Sequence, residues 1–209
     1  MRIKIFIIFF LSLSGYFSQT AILNNTLKGS YGIFFPLENK FGNSFAPLFD
    51  AKLKEPIQVI SIAIEHGRNN SLRNMSGDIG FLYFMKQTVK NDSVKLSWLA
   101  NNFYIIWKFD LFKKSALIDV CFGAGPMVGS QRIIVTKSSN TEVYKNFNCS
   151  IVPHAEIKIQ AISQLAIGAE VNYLYDFSDN KWKNRINTFS FSKSNFSGLL
   201  VKFYLGYSF

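Results

Sequence analysis

Cysteine, histidine and acidic side chains are all scarce in this chain of 209 residues, which has two Cys, two His and 13 Asp+Glu. Two cysteines are too few for a disulfide scaffold, and neither Cys121 nor Cys149 stands in a CxxC or zinc-ligand spacing. Two histidines, His66 and His154, leave few candidates for the usual general base. Charged residues make up only 17% of the chain against 48% hydrophobic ones, a balance that excludes a disordered polymer. Beyond residue 20 no apolar run approaches the roughly 20 residues that a spanning helix needs. No low-complexity tract or domain boundary interrupts the chain, whose length fits one domain. What is abundant is aromatic: 22 Phe, nine Tyr and three Trp.

The N-terminus has the layout of a secretory signal. Arg2 and Lys4 supply a positive start, and Ile5 to Leu13 form an apolar core of about nine residues, followed by Ser14, Gly15 and Ser18. The apolar core is too short for a membrane anchor. Residues 1–19 are therefore predicted to be a signal peptide and residues 20–209 a single exported domain, with cleavage between Gly15 and Thr20. An exported, aromatic-rich chain without a spanning helix is either a soluble β protein or a membrane barrel.

Alternation with a period of two dominates the rest. At the C-terminus Leu199, Val201, Phe203, Leu205, Tyr207 and Phe209 share one strand face, and Gly198, Leu200, Lys202, Tyr204, Gly206 and Ser208 the other. Leu165, Ile167, Ala169, Val171, Tyr173, Tyr175 and Phe177 alternate with Ala166, Gly168, Glu170, Asn172, Leu174 and Asp176. Faces this long exceed an average globular strand and fit a tilted membrane strand with aromatic ends. Shorter alternations start at Tyr31, Ile60, Ile79, Phe103, Ile118 and Ala155, which predicts eight strands in all. Segments 37–56, 131–147 and 177–192 read as long polar loops, and 110–115 and 161–164 as short turns. That rhythm predicts an all-β, eight-stranded antiparallel up-and-down transmembrane β-barrel. Segments 67–77 and 90–93 depart from it, one long for a turn and the other short for an outer loop.

These features resemble the eight-stranded outer-membrane β-barrel family common in Bacteroidetes, the group that includes PorT-like and OmpX-like small barrels. The resemblance rests on the signal, the eight segments, Cys121-Phe-Gly-Ala-Gly-Pro-Met-Val-Gly129, Ala169-Glu-Val-Asn-Tyr173 and the terminal Gly-Tyr-Ser-Phe. It covers nearly the whole exported chain. It implies location in the outer membrane and a barrel fold, and no particular activity. Phe203, Leu205, Tyr207 and Phe209 resemble the signal that the outer-membrane assembly machinery reads.

Strand parity places Glu65, Lys86, Lys108, Asp119, His154, Glu156, Lys158, Glu170 and Lys202 on the inward face. An eight-stranded barrel is narrow enough for side chains to fill it, and enclosed charges need opposite partners. The expected interior is a polar plug of ion pairs. A lipid-deacylating barrel would show His-x-Ser, but His66 is followed by Gly67-Arg68 and His154 by Ala155-Glu156. No nucleophile–base pair is visible, and the expectation is not an enzyme. His154 and Glu156 share a strand face, yet no second cluster completes a metal site. Cys121 points inward and Cys149 outward, so a disulfide between them is not expected.

The net charge of +10 is scattered rather than massed, which argues against nucleic acid. Lys181, Lys183 and Arg185 around Trp182 form the best candidate patch for phosphate, read as a loop. The expected partners are outer-membrane lipids and lipopolysaccharide, the assembly machinery, and a secretion or envelope complex if the resemblance extends to function. No cofactor is implied. Two alternatives remain: a soluble secreted β-barrel binding an apolar ligand, and a barrel enzyme modifying lipid A.

Overall fold

The computed structural model describes residues 23–37, 56–68, 75–91, 94–111, 118–137, 140–162, 164–178, 181–184, 188–190 and 196–209. The predicted signal peptide lies outside these residues, as does Arg185. Alternating sequence becomes strand: β1 (Leu23–Pro36), β2 (Ile57–Arg68), β3 (Met75–Asn91), β4 (Val94–Asp110), β5 (Ile118–Lys137), β6 (Asn140–Ile162), β7 (Leu165–Asp176), β8 (Lys181–Lys183), β9 (Thr188–Ser190) and β10 (Gly198–Ser208). β1 to β7 and β10 pair in antiparallel order, β10 returns to β1, and β5 pairs β6, so the eight long strands close a barrel with no free edge. Closure is registered to the last residues, with Thr26 opposite Ser208 and Phe209 exchanging backbone hydrogen bonds with Asn25.

β8 and β9 form a small hairpin that joins the outer part of β6, where Lys145 stands opposite Lys183. The expected polar loop at 131–147 is instead a continuation of the β5–β6 hairpin, paired up to Lys137 opposite Asn140. Alternation persists there with its polarity reversed. Ile133, Val135 and Tyr144 point in, whereas Arg132 and Lys145 point out. Charges on an outer face are favourable where that face meets water, so the outer face of this part reads as polar. The β3–β4 hairpin extends in the same way, ending with Asn91 opposite Val94.

Along the barrel wall the outer face is apolar, exposing Leu27, Tyr31, Ile62, Ile64, Phe81, Ile151, Ile157, Phe203 and Leu205 among others. Such a patch in water would be far larger than soluble monomers tolerate. Against hydrocarbon it is the favourable surface.

Candidate functional site: the closed interior

The inward faces build two stacked layers. In the layer nearer the chain termini, Lys28 of β1 is the hub. Its ammonium lies 2.6 Å from Glu65, 2.7 Å from Glu156, 3.3 Å from Asp78 and 3.8 Å from Glu170. Lys108 of β4 sits beside it, 2.9 Å from Glu65, 3.0 Å from Asp78 and 2.8 Å from Glu156. Lys158 reaches Glu65 at 2.7 Å, and Lys202 reaches Glu170 at 2.5 Å. Four lysines thus face four carboxylates, drawn from strands all round the wall, and formal charge cancels. Isolated charges so deeply enclosed would be prohibitive, and the mutual pairing is what makes the layer possible.

Tyrosines complete it. Tyr204 donates its hydroxyl to Glu156 while the Lys28 ammonium lies 4.5 Å from its ring centre, and Lys202 lies 5.1 Å from the Tyr104 ring. Each ring has a glycine directly across the ladder, Gly168 for Tyr204 and Gly80 for Tyr104, and a Cβ at either glycine would collide with the ring. The inward glycines are the space into which the tyrosines fold.

His154 bridges Asn172 at 2.8 Å and Glu156 at 3.3 Å, and Cys121 Sγ lies 3.6 Å from Glu156. Cys121–His154–Glu156 and Glu65–Asp78–Glu156 bring metal-ligating atoms close together. The ammonium groups of Lys28 and Lys108 already hold the cation positions between those carboxylates. His66 faces outward at the barrel end, with Nδ1 2.8 Å from the Asn25 amide oxygen. Cys121 and Cys149 are both free thiols.

The second layer, toward the hairpin ends, departs from the expected polar interior. Phe34, Ile57, Val59, Phe84, Leu96, Trp98, Ile133, Val135 and Leu200 are buried there, with Trp182 of β8 and Phe196. Phe196 precedes β10 and inserts among Phe34, Phe84 and Trp98, with ring centres 4.9, 4.7 and 5.6 Å away. The apolar layer is the hydrophobic core of the hairpin end of the barrel, and aromatic edge contacts fill it. Between the layers Asn102 and Asn148 are hydrogen bonded at 2.5 Å, and Trp98 donates to Gln131 at 3.3 Å.

Of the residues expected inside, Glu65, Lys108, His154, Glu156, Glu170 and Lys202 are buried in the charged layer, and Lys158 lies at its edge. Asp119 is half-buried on the inward face at the terminal end, opposite Lys158 in register. Lys86 is not inside. The β3–β4 register shifts between Phe84 and Gln87, which reverses parity beyond the bulge and leaves Lys86 exposed. Lys28 and Asp78 fall just outside the alternations that start at Tyr31 and Ile79. Extending either alternation a few residues toward the N-terminus turns both side chains inward. Lys181 and Lys183 lie on a strand rather than a loop, with Trp182 between them buried.

No family model matches the chain, and no curated protein does. Solved structures do. The attachment invasion locus protein Ail of Yersinia pestis is similar at a TM-score of 0.52 and 10% identity, over 90% of this chain and 97% of that one. A major outer membrane protein of Thermus thermophilus is similar at a TM-score of 0.66 and 6% identity, over 90% of this chain and 100% of that one. Ail has also been solved in complex with the heparin analogue sucrose octasulfate. The fold is that of the small eight-stranded outer-membrane β-barrels, closed and all-β.

Proposed function

We propose that this protein is an integral outer-membrane barrel, exported by its N-terminal signal, whose role is structural or interactive rather than enzymatic. The observation that carries the reading is the inversion of polarity: apolar residues cover the wall, while four lysines and four carboxylates are enclosed within it. A soluble barrel binding an apolar ligand would carry the opposite arrangement. Its inner wall near the termini is charged and filled, which leaves such a ligand no chamber.

A non-enzymatic role is favoured by the way both histidines are engaged. His154 is enclosed in the ion-pair layer, away from the lipid face, and the His66 ring meets Asn25. The partners follow from position: lipopolysaccharide around the belt, the assembly machinery through Phe203, Leu205, Tyr207 and Phe209, and an envelope complex at the projecting hairpins. Phe203, Leu205, Tyr207 and Phe209 all face outward on the closing strand. Kinship with the Bacteroidetes PorT-like group belongs to the same reading, supported by the glycine-rich segment of β5.

Membrane fractionation tests the proposal. The protein is expected in the outer membrane, with a mobility on a denaturing gel that changes on boiling. Deleting Phe209 is expected to reduce that folded form. Recovery as a soluble periplasmic protein with no heat-dependent shift would end this reading.

A further inference from the structure

Resting on that membrane reading, we infer that Arg132, Lys145 and Lys183 form a built phosphate-binding ladder for lipid A in the outer leaflet. The three residues stand directly across from one another in register on β5, β6 and β8, Arg132 opposite Lys145 and Lys145 opposite Lys183. All three are exposed on the outer face. Directly opposed residues in antiparallel strands lie roughly 5 Å apart, so three like charges in one row repel. In register the row is flanked by Leu99 on β4 and Thr188 on β9, and by Ser130, Ile134, Val143 and Phe147 along β5 and β6, and no carboxylate is among these described residues. Glu142, further out on β6, accepts a hydrogen bond from Tyr144. A row of cations held on paired strands, with no carboxylate compensating it among the described residues, is a site that an anion completes.

Height along the barrel selects the anion. Phe147, the outermost aromatic of β6 on that face, is exposed two residues below Lys145, with Phe177 hydrogen bonded to Cys149 beside it. These rings stand where the aromatic girdle of a membrane barrel belongs. At a rise of about 3.3 Å per residue and a tilt near 40°, Lys145 lies about 5 Å above Phe147, at the level of lipid phosphates rather than in hydrocarbon or free solvent. The buried Trp182 holds β8 against the barrel and so fixes Lys183 in the row.

Three exposed lysines that stand further out on the projecting hairpins than Lys86 provide the control. Lys90 and Lys95 face each other on β3 and β4, and Lys137 ends β5. Lys95 is four residues beyond Leu99, which is level with Arg132, and Lys137 is five beyond Arg132 itself. They stand about 10 Å further from the belt.

The test uses mature protein folded in phosphatidylcholine nanodiscs containing bisphosphorylated or dephosphorylated lipid A, with retained lipid A counted by native mass spectrometry. Wild type is expected to retain the bisphosphorylated form preferentially. Arg132→Gln/Lys145→Gln/Lys183→Gln should weaken retention on the order of 100-fold, roughly fivefold per cation. Lys90→Gln/Lys95→Gln/Lys137→Gln, which loses the same net charge, should stay within about twofold of wild type. Equal loss in both variants would reduce the ladder to bulk electrostatics and overturn the site, as would undiminished retention by the first variant. Equal retention of dephosphorylated lipid A by wild type would remove phosphate as the ligand. Capture of sucrose octasulfate without lipid A retention would assign the ladder to soluble glycans instead. Failure of wild type to enter nanodiscs at all would instead defeat the membrane reading on which the ladder stands.

Discussion

Lys202 and Glu170 face each other in register on β10 and β7, and their charged atoms meet at 2.5 Å inside the barrel. Lys28 lies 3.8 Å from the same carboxylate. Neutralising Glu170 therefore strands positive charge in an enclosed layer. Glu170→Gln is expected to lower folded stability by roughly 1–3 kcal/mol, read from urea unfolding in lipid vesicles. Glu170→Gln/Lys202→Met should recover part of that loss, because the unpaired ammonium is gone. Additive losses in the double variant would show that the pair is not coupled.

Gly125 of β5 is inward, close against β4. A Cβ there would lie 1.7 Å from the Ile105 carbonyl oxygen and 2.8 Å from the Ile106 Cα. Both obstacles are backbone, so no rotamer can yield. Gly125→Ala is expected to abolish most of the heat-shifted folded band on a gel. Gly29→Ala, whose Cβ meets nothing within 4 Å, should fold like wild type. Comparable folded yields for both would mean that the β4–β5 spacing is not fixed by this glycine.

Eight strands, their outward faces and most of the charged interior are legible in the sequence because the strands of a closed barrel obey a strict parity. The same logic fails at identifiable places. A bulge between Phe84 and Gln87 reverses parity and carries Lys86 outside. Toward the hairpin end the polarity of the strands inverts, so Arg132 and Lys145 make residues 131–147 look like a loop although 131–137 pair with 140–146. Phe196 lies just before β10 and enters the core from there, which no periodicity announces. Lys28, the hub, eludes the pattern for a smaller reason: the clear alternation of β1 begins only at Tyr31, three residues further on.

Asp176 ties both ends of the segment that carries Phe196. One carboxylate oxygen accepts the Phe196 backbone N–H at 2.9 Å, and the other accepts the Ser178 N–H and hydroxyl at 3.0 and 2.6 Å. Hydrogen bonds to a charged acceptor are worth about 1.5–3 kcal/mol each when buried. Asp176→Ala is expected to release Phe196 from its ring contacts and to speed tryptic cleavage at Lys181 and Lys183. Asp176→Asn, which keeps one acceptor oxygen, should fall between Asp176→Ala and wild type. Unchanged cleavage in Asp176→Ala would show that Phe196 is held by its ring contacts alone.

Among the described residues the two stacked layers fill the interior, and an eight-stranded wall is too narrow to enclose a wide channel. Planar-bilayer recordings of the purified protein are expected to show little or no stable current. A reproducible pore admitting sugars would contradict the filled interior.

The most direct test of the inverted barrel is a nitroxide scan along β10 in lipid vesicles, in a protein whose Cys121 and Cys149 have been replaced by serine. Leu199, Val201, Phe203 and Leu205 face outward, and Leu200, Lys202, Tyr204 and Gly206 face inward. Labels at 199, 201, 203 and 205 should collide strongly with oxygen dissolved in the bilayer and weakly with a water-soluble nickel reagent. Labels at 200, 202, 204 and 206 should be shielded from both. Strong nickel collisions at the odd positions would place that face in water and contradict the membrane barrel.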